Sequence, residues 1–290
     1  MCMRLNLRFF LLPSIRFIKL KIIKNIQDLI EARSAFDQIT FIPTMGNLHD
    51  GHLSLFERAS KLKNPIFSSI FINPLQFNNK SDFTNYPKTL ENDINLLESR
   101  NCECLFLPDE SILNNIEQIK APHKANFLCG ADRPGHFDGV LTIVNKLFDL
   151  MKPTDAVFGL KDYQQYLLIK DYVNSRKLPI NVVGSHTIRD KNGLAMSSRN
   201  NLLTNDELVK ASEIYKSLLF IKNNTNNLSK RFLSEVSRNL NKEGFLVDYL
   251  KVINSITLQE SLNQGDEEGH LVVAIAAKLG SVRLIDNMFI

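Results

Sequence analysis

Apolar runs alternate with helix-spaced apolar stripes over most of the chain, the pattern expected when parallel strands are separated by crossover helices. Ile39 to Pro43 reads as a buried strand, followed by Gly46 and by a helix from about Asp50 in which Leu53, Phe56, Ala59 and Leu62 recur at helical spacing. Ile66 to Ile72 reads as the next strand, Asp93 to Ser99 as a helix and Cys104 to Leu107 as a strand. Val140, Ile143, Val144, Leu147, Phe148 and Met151 form a strong helical stripe that stops before Pro153. A short strand over Ala156 to Phe158, a helix over Tyr163 to Val173 and a strand over Ile180 to Val183 complete one α/β unit with a parallel sheet. The pattern changes near residue 188. Beyond it, Asp206 to Ile221 and Ser229 to Leu240 read as helices, and Val247 to Ile253, Leu271 to Ala277 and Val282 to Ile285 as strands. The expected organisation is a basic extension over 1–19, a Rossmann-like domain over 20–187 and a smaller α+β domain over 188–290.

Composition changes this picture little. A chain of 290 residues, 44% apolar and 23% charged, is globular, which excludes disordered and collagen-like classes. The formal charge of +4 suggests nucleic acid at first sight. However, Arg4, Arg8, Arg16, Lys19, Lys21 and Lys24 precede the first acid, Asp28, and setting those six aside from 35 basic residues leaves the rest at −2 against 31 acids. A nucleic-acid surface would need clustered basic residues with stacking aromatics, so no nucleic-acid partner is expected. The early apolar run, Phe9 to Ile18, is interrupted by Pro13 and Arg16 and is too short to span a bilayer. A transit or signal peptide remains a competing reading of this leader, but a nonessential extension is preferred, and removing residues 1 to 18 is expected to leave activity intact. Four cysteines give no disulfide framework and fit a reducing, cytoplasmic compartment. Cys102 and Cys104 read as residues of a buried strand rather than half a metal site, since structural zinc needs about four ligands.

The chain has neither a G-x-x-x-x-G-K-[ST] loop nor a G-x-G-x-x-G fingerprint, so a nucleotide would have to be held another way. Met45-Gly46-Asn47-Leu48-His49-Asp50-Gly51-His52 lies where a strand gives way to a helix, a place that favours anions. His49 and His52 alone fit a metal pair, a phosphate-binding pair or ordinary helix-start residues; the missing Glu after His49 excludes the metalloprotease motif, and the context favours phosphate. Gly159-Leu160-Lys161-Asp162 follows another strand, with Lys161 a candidate phosphate cation or a solvated lysine. Met196-Ser197-Ser198-Arg199 follows the turn residue Gly193 and joins two hydroxyls to a guanidinium, a set that suits triphosphate oxygens but is common in loops.

Taken in order, these clusters resemble the pantothenate synthetase (pantoate–β-alanine ligase) family. Phe71-Ile72-Asn73-Pro74-Leu75-Gln76-Phe77, Tyr86 to Leu90, Arg133 to Val140 and Ala276 to Asn287 add to the match, which runs from about Leu20 to the C-terminus. The resemblance implies a Rossmann-like nucleotidyltransferase domain, a mobile lid and a homodimer that joins pantoate to β-alanine through a pantoyl adenylate, releasing AMP and pyrophosphate. It makes His49, His52, Lys161 and Arg199 the catalytic set, with His52 at the proton-donor position. His49-x-x-His52 and Met196 to Arg199 look like counterparts of the HIGH and KMSKS signatures of class I aminoacyl-tRNA synthetases.

The same resemblance assigns Met45 to Gly51, Gly159 to Asp162, Ile188, Met196, Ser197 and Ser198 to ATP, and Gln76 and Gln165 to pantoate and β-alanine. Mg²⁺ is implied as the metal of the ATP complex, with Asp93 as the nominated carboxylate. Either imidazole, at a reference pKa near 6.5, is an expected cation beside the triphosphate. Asn73, Arg133 and His136 either shape the site or are structural. Leu160 stands where the family usually has Glu, and Lys88 replaces the usual Arg, which removes bidentate geometry. Another nucleotidyltransferase of the same superfamily would share the phosphate motifs but lack Gln76 and Gln165.

Overall fold

A computed structural model describes residues 19–263 and 269–290; the expected leader over 1–19 lies outside them but for Lys19. The strands are β1 (Lys21–Ile23), β2 (Thr40–Thr44), β3 (Ile66–Ile70), β4 (Cys102–Phe106), β5 (Asp155–Gly159), β6 (Asn181–Ser185), β7 (Phe245–Asn254), β8 (Leu271–Leu279) and β9 (Val282–Phe289). The helices are α1 (Ile26–Ser34), α2 (Asp50–Ser60), α3 (Lys80–Thr84), α4 (Leu90–Ser99), α5 (Leu128–Asp132), α6 (His136–Met151), α7 (Tyr163–Ser175), α8 (Asn205–Lys222) and α9 (Lys230–Lys242).

Strands β1 to β6 form one parallel sheet in the order β1-β4-β3-β2-β5-β6. Alternating side chains bury both of its faces. Phe41 of β2 joins the cluster under α1, α6 and α7, while its neighbour Ile42 joins the cluster under α2 and α4. Cys102 and Cys104 are buried in β4 as expected.

The strand order reverses between β2 and β5, and these two strands stay paired only at Thr40↔Asp155 and Phe41↔Ala156. Ile39 faces β5, its carbonyl accepting from Thr154 N at 3.0 Å, so period-two alternation turns Phe41 and Pro43 to the same side. Pro43 has no N–H to donate and the ladder ends before it. The carboxyl ends of β2 and β5 therefore separate, which opens a crevice at the topological switch point of the sheet.

The second unit is an antiparallel sheet in the order β7-β8-β9, covered by α8 and α9 over an apolar cluster of its own. β9 continues four residues past the expected end at Ile285, which places Asp286 and Asn287 in the sheet, both buried. The two units meet on an apolar seam of Leu128 and Leu167 against Ile253, Leu258, Val272 and Ala274. Among the described residues no helix is long and apolar enough to cross a membrane.

Candidate active site

The chain leaves β2 by a tight turn and enters α2 with His49 as its N-cap. Gly46 and Asn47 have φ of 79° and 51°, and a Cβ on Gly46 would stand 3.0 Å from Ile70 Cγ2 and 3.1 Å from Asp93 Oδ2, so the turn needs glycine. Asp93 on α4 is 1% exposed; its carboxylate accepts from Asn47 N at 2.9 Å, Leu48 N at 2.8 Å and Thr89 Oγ1 at 3.1 Å. Asp93 is the carboxylate nominated for magnesium. Both oxygens are committed to the back of the turn, and the residue does not line the crevice.

His49 and His52 lie one above the other at the start of α2, with ring centroids 4.1 Å apart. Gly51 N donates to His49 Nδ1 at 3.1 Å, and His49 N donates to His52 Nδ1 at 3.4 Å. A ring nitrogen that accepts a backbone N–H is unprotonated, so each neutral ring carries its proton on Nε2. Burial and the Lys161 ammonium push His49 down to about 4; burial, His49 and Lys161 push His52 down to about 3. In the site as it stands both rings are therefore uncharged Nε2–H donors at neutral pH, whereas the expected cation is an imidazole beside a triphosphate.

At the end of β5, Lys161 enters the crevice with its Nζ 4.0 Å from the Asp162 carboxylate. Asn287 of β9 donates from Nδ2 to the carbonyls of both Leu160, at 3.0 Å, and Lys161, at 2.8 Å. This clamp fixes the turn from the second unit. The Leu160 side chain instead packs on Gly184, where a Cβ would lie 2.7 Å from Leu160 Cδ2. The residue in place of the family Glu thus points away from the crevice.

A hairpin in the second unit supplies Arg199. Met196 N donates to Ile188 O at 2.9 Å, and Arg189, paired to Asp286 through Nη2 and Oδ1 at 2.9 Å, anchors its base. Gly193 has φ 91° and lies so close to the Tyr215 ring that a Cβ would come within 2.0 Å of it. From this hairpin Ser198 Oγ donates to Asn47 O at 3.2 Å and Arg199 Nη2 pairs with Asp82 of α3 at 3.0 Å.

Gln76 follows β3 on a short turn seated on α6. Gly139 makes this approach possible, because a Cβ there would lie 2.2 Å from Leu75 O. Asn73 Nδ2 donates to Gln76 Oε1 at 3.1 Å and to Gly139 O at 3.0 Å, and Gln76 Nε2 reaches Met45 Sδ at 3.1 Å. The Gln76 carbonyl accepts from His136 Nδ1 at 2.7 Å and from Arg133 Nη2 at 3.0 Å. Burial and Arg133 push His136 down to about 4, so it too is neutral.

These elements enclose a cavity of about 260 Å³ that gathers Met45, His49, Gly51, His52, Gln76, Gly159, Lys161, Asp162, Gln165, Ile188, Met196, Ser197, Ser198 and Arg199. Val140, Ile143, Val144 and Leu147 of α6 give it an apolar wall. Of the sequence candidates, Gly46, Asn47, Leu48, Asp50, Asp93 and Leu160 do not line it and act from behind or beside it. Sequence reasoning missed the clamp by Asn287 and the pairing of Asp82 with Arg199. Asn287 stood in a matched motif without a role, whereas nothing local marks Asp82.

A parallel sheet with its crevice at the switch point, lined by phosphate-suited groups and faced by a second unit, defines the doubly wound nucleotide-binding class. Within that class the sequence is specific. A family model described as pantoate-beta-alanine ligase matches residues 19–289. The pantothenate synthetase of Marinomonas sp. (strain MWYL1) is 44% identical over 87% of this chain and 91% of its own length. That of Thiobacillus denitrificans (strain ATCC 25259 / T1) is 42% identical over 93% and 96%. Among solved structures, pantothenate synthetase from Thermus thermophilus superposes with a TM-score of 0.80 at 34% identity, covering 92% of this chain and 98% of that one. The pantoate-beta-alanine ligase of Francisella tularensis, complexed with beta-gamma ATP and beta-alanine, gives 0.80 at 34% over 93% and 98%. The chain belongs to the pantoate-beta-alanine ligase family.

Proposed function

We propose that the chain condenses pantoate with β-alanine in two steps, through a pantoyl adenylate. The observation that carries this reading is the lining of the crevice, which brings imidazole, ammonium, guanidinium and hydroxyl groups together with the neutral amides of Gln76 and Gln165 and an apolar wall from α6.

A carboxylate is a poor electrophile, so pantoate is activated before an amine can attack it. Its carboxylate oxygen attacks the α-phosphorus of ATP and pyrophosphate leaves; the β-alanine nitrogen then attacks the acyl carbon and AMP leaves. No enzyme nucleophile is required, and the work is positioning and charge stabilisation. Lys161 and Arg199 balance the charge that grows on pyrophosphate, while His49 and His52 donate from Nε2 to phosphate oxygens. The Gln76 and Gln165 amides orient the pantoate carboxylate without the full charge that would blunt its nucleophilicity, and the α6 wall accepts the gem-dimethyl carbon.

Mg²⁺ would enter as the companion of the triphosphate, an ion that keeps several waters and takes few protein ligands. Asp162 lines the crevice, and Asp82 and Asp286 line the cavity that continues it. The second unit acts as a lid over 188–290 against the 20–187 domain, and the enzyme works as a cytoplasmic homodimer, readings supported by the family resemblance. An AMP-release assay with ATP, Mg²⁺, pantoate and β-alanine tests the activity. AMP forms with all three substrates and falls to background when pantoate is omitted; AMP formation indifferent to pantoate and β-alanine would falsify the assignment.

A further inference from the structure

Three arginines line the crevice or the cavity of about 170 Å³ that continues it, and they differ in what neutralises them. Arg199 pairs with Asp82 at 3.0 Å, and Arg283 is held between Asp132 at 2.8 Å and Asp248 at 2.7 Å. Arg133 has no carboxylate partner among the described residues. Its Nη2 donates to the Gln76 carbonyl at 3.0 Å and its Nη1 meets His136 Nε2 at 3.4 Å. Its other N–H groups have no acceptor among the described residues. Burial lowers its pKa, as do the like charges of Arg199 and Arg283, yet a guanidinium keeps its proton. Neutral His136 cannot balance it. A half-buried, charged, unpaired guanidinium between two cavities is a place where an anion is stabilised.

Of the anionic groups that the proposed reaction brings together, two have evident partners. The triphosphate meets Lys161, Arg199, the histidines and Ser198, and the pantoate carboxylate meets neutral amides because it must react. The carboxylate of β-alanine takes no part in bond making, stays charged throughout and has no counter-ion in that scheme. We propose that Arg133 receives it, an inference that rests on the function proposed above. The position suits the task. Arg133 is hydrogen-bonded to the backbone of Gln76, the residue that holds the acyl group, and the β-alanine nitrogen is two methylenes from its own carboxylate. A guanidinium fork takes a carboxylate bidentately, so Arg133 also selects for amines that carry one. His136 is a positioning residue: donating to Gln76 O and accepting from Arg133, it ties the carboxylate site to the pantoate site.

The full-length Arg133→Met and Arg133→Lys variants test this with two amines, β-alanine and its uncharged analogue 3-aminopropanamide. A charge-assisted contact is worth about 1.5–3 kcal/mol, roughly 10- to 100-fold in kcat/KM. The unaltered enzyme is expected to prefer β-alanine over the amide by about that factor, and Arg133→Met to lose the preference with a matching rise in KM for β-alanine. Arg133→Lys should fall between them. The ratio of the two amines within one variant is independent of how much of that variant is folded. A preference that survives Arg133→Met overturns the inference, as does a loss that falls instead on the KM for ATP and on pantoate-dependent pyrophosphate exchange, which would make Arg133 a phosphate ligand. Absence of that exchange in the unaltered enzyme would overturn the proposed function itself, and the inference with it.

Discussion

The two halves of the crevice are held in different ways. The turn before α2 is fixed from behind by its own unit: Asp93 takes two of its backbone N–H groups, and Gly46 lets it pass within contact distance of β3. The hairpin that carries Met196 to Arg199 is anchored at its base in the second unit by Arg189 and Asp286. Its tip meets the first unit through polar contacts, Ser198 to Asn47 O and Arg199 to Asp82. Phosphate oxygens can replace such contacts, whereas they cannot replace the buried carboxylate of Asp93. One half is preorganised and the other is exchangeable, a division that suits a site that must admit a triphosphate and then surround it.

This contrast orders the expected effects. Largest are His52→Ala and Lys161→Ala, which remove donors on the first unit's side of the crevice; each should lower pyrophosphate exchange by roughly 10²- to 10³-fold. Near-normal exchange in either would take that residue out of the chemistry.

Asp93→Ala strands two buried N–H groups and should cost about 3 kcal/mol in denaturant unfolding, with no change in the Mg²⁺ concentration required. Unaltered stability combined with a raised Mg²⁺ requirement would return Asp93 to the metal.

Acid should act on the buried imidazoles. His49, His52 and His136 have folded-state pKa values depressed to about 4, 3 and 4. Their contribution is therefore complete above the unfolded value near 6.5 and is lost as pH falls toward 4. Thermal stability measured over that window should decline, and the decline should shrink in His136→Gln; a flat profile would contradict the neutral assignment.

Smallest is Ser198→Ala in the exchangeable half. Stability should move by less than about 0.5 kcal/mol, while the KM for ATP rises up to roughly tenfold. A large loss of stability would show the hairpin to be as fixed as the turn.

Much of the fold was legible because the information is local. The run Ile39 to Pro43 and the stripe Val140 to Met151 carry their own periodicity, and Gly46, Gly159 and Gly193 mark the turns that follow. Many of the residues that line the crevice stood in the motifs, although Gly46, Asn47, Leu48, Asp50, Asp93 and Leu160 do not line it. The states of these side chains were not legible. The protonation of His49 depends on its burial and on Lys161, more than a hundred residues away in the chain. Asp93 reads as the start of a helix and as the carboxylate nominated for Mg²⁺, and only the Gly46 turn laid over it shows where its oxygens go. Leu160 sits in the motif that carries Lys161, and only the close pass of Gly184 on β6 shows that it turns away. Asn287 acts from a strand that ran longer than its apolar pattern, since Asp286 and Asn287 are polar residues buried by the partners they bind.

The central claim is that the crevice first makes an acyl adenylate from pantoate and ATP alone. Isotope exchange between labelled pyrophosphate and ATP measures that step without the amine. Exchange is expected to require pantoate and to proceed in the absence of β-alanine; exchange that appears only when β-alanine is added, alongside normal pantothenate formation, would contradict it.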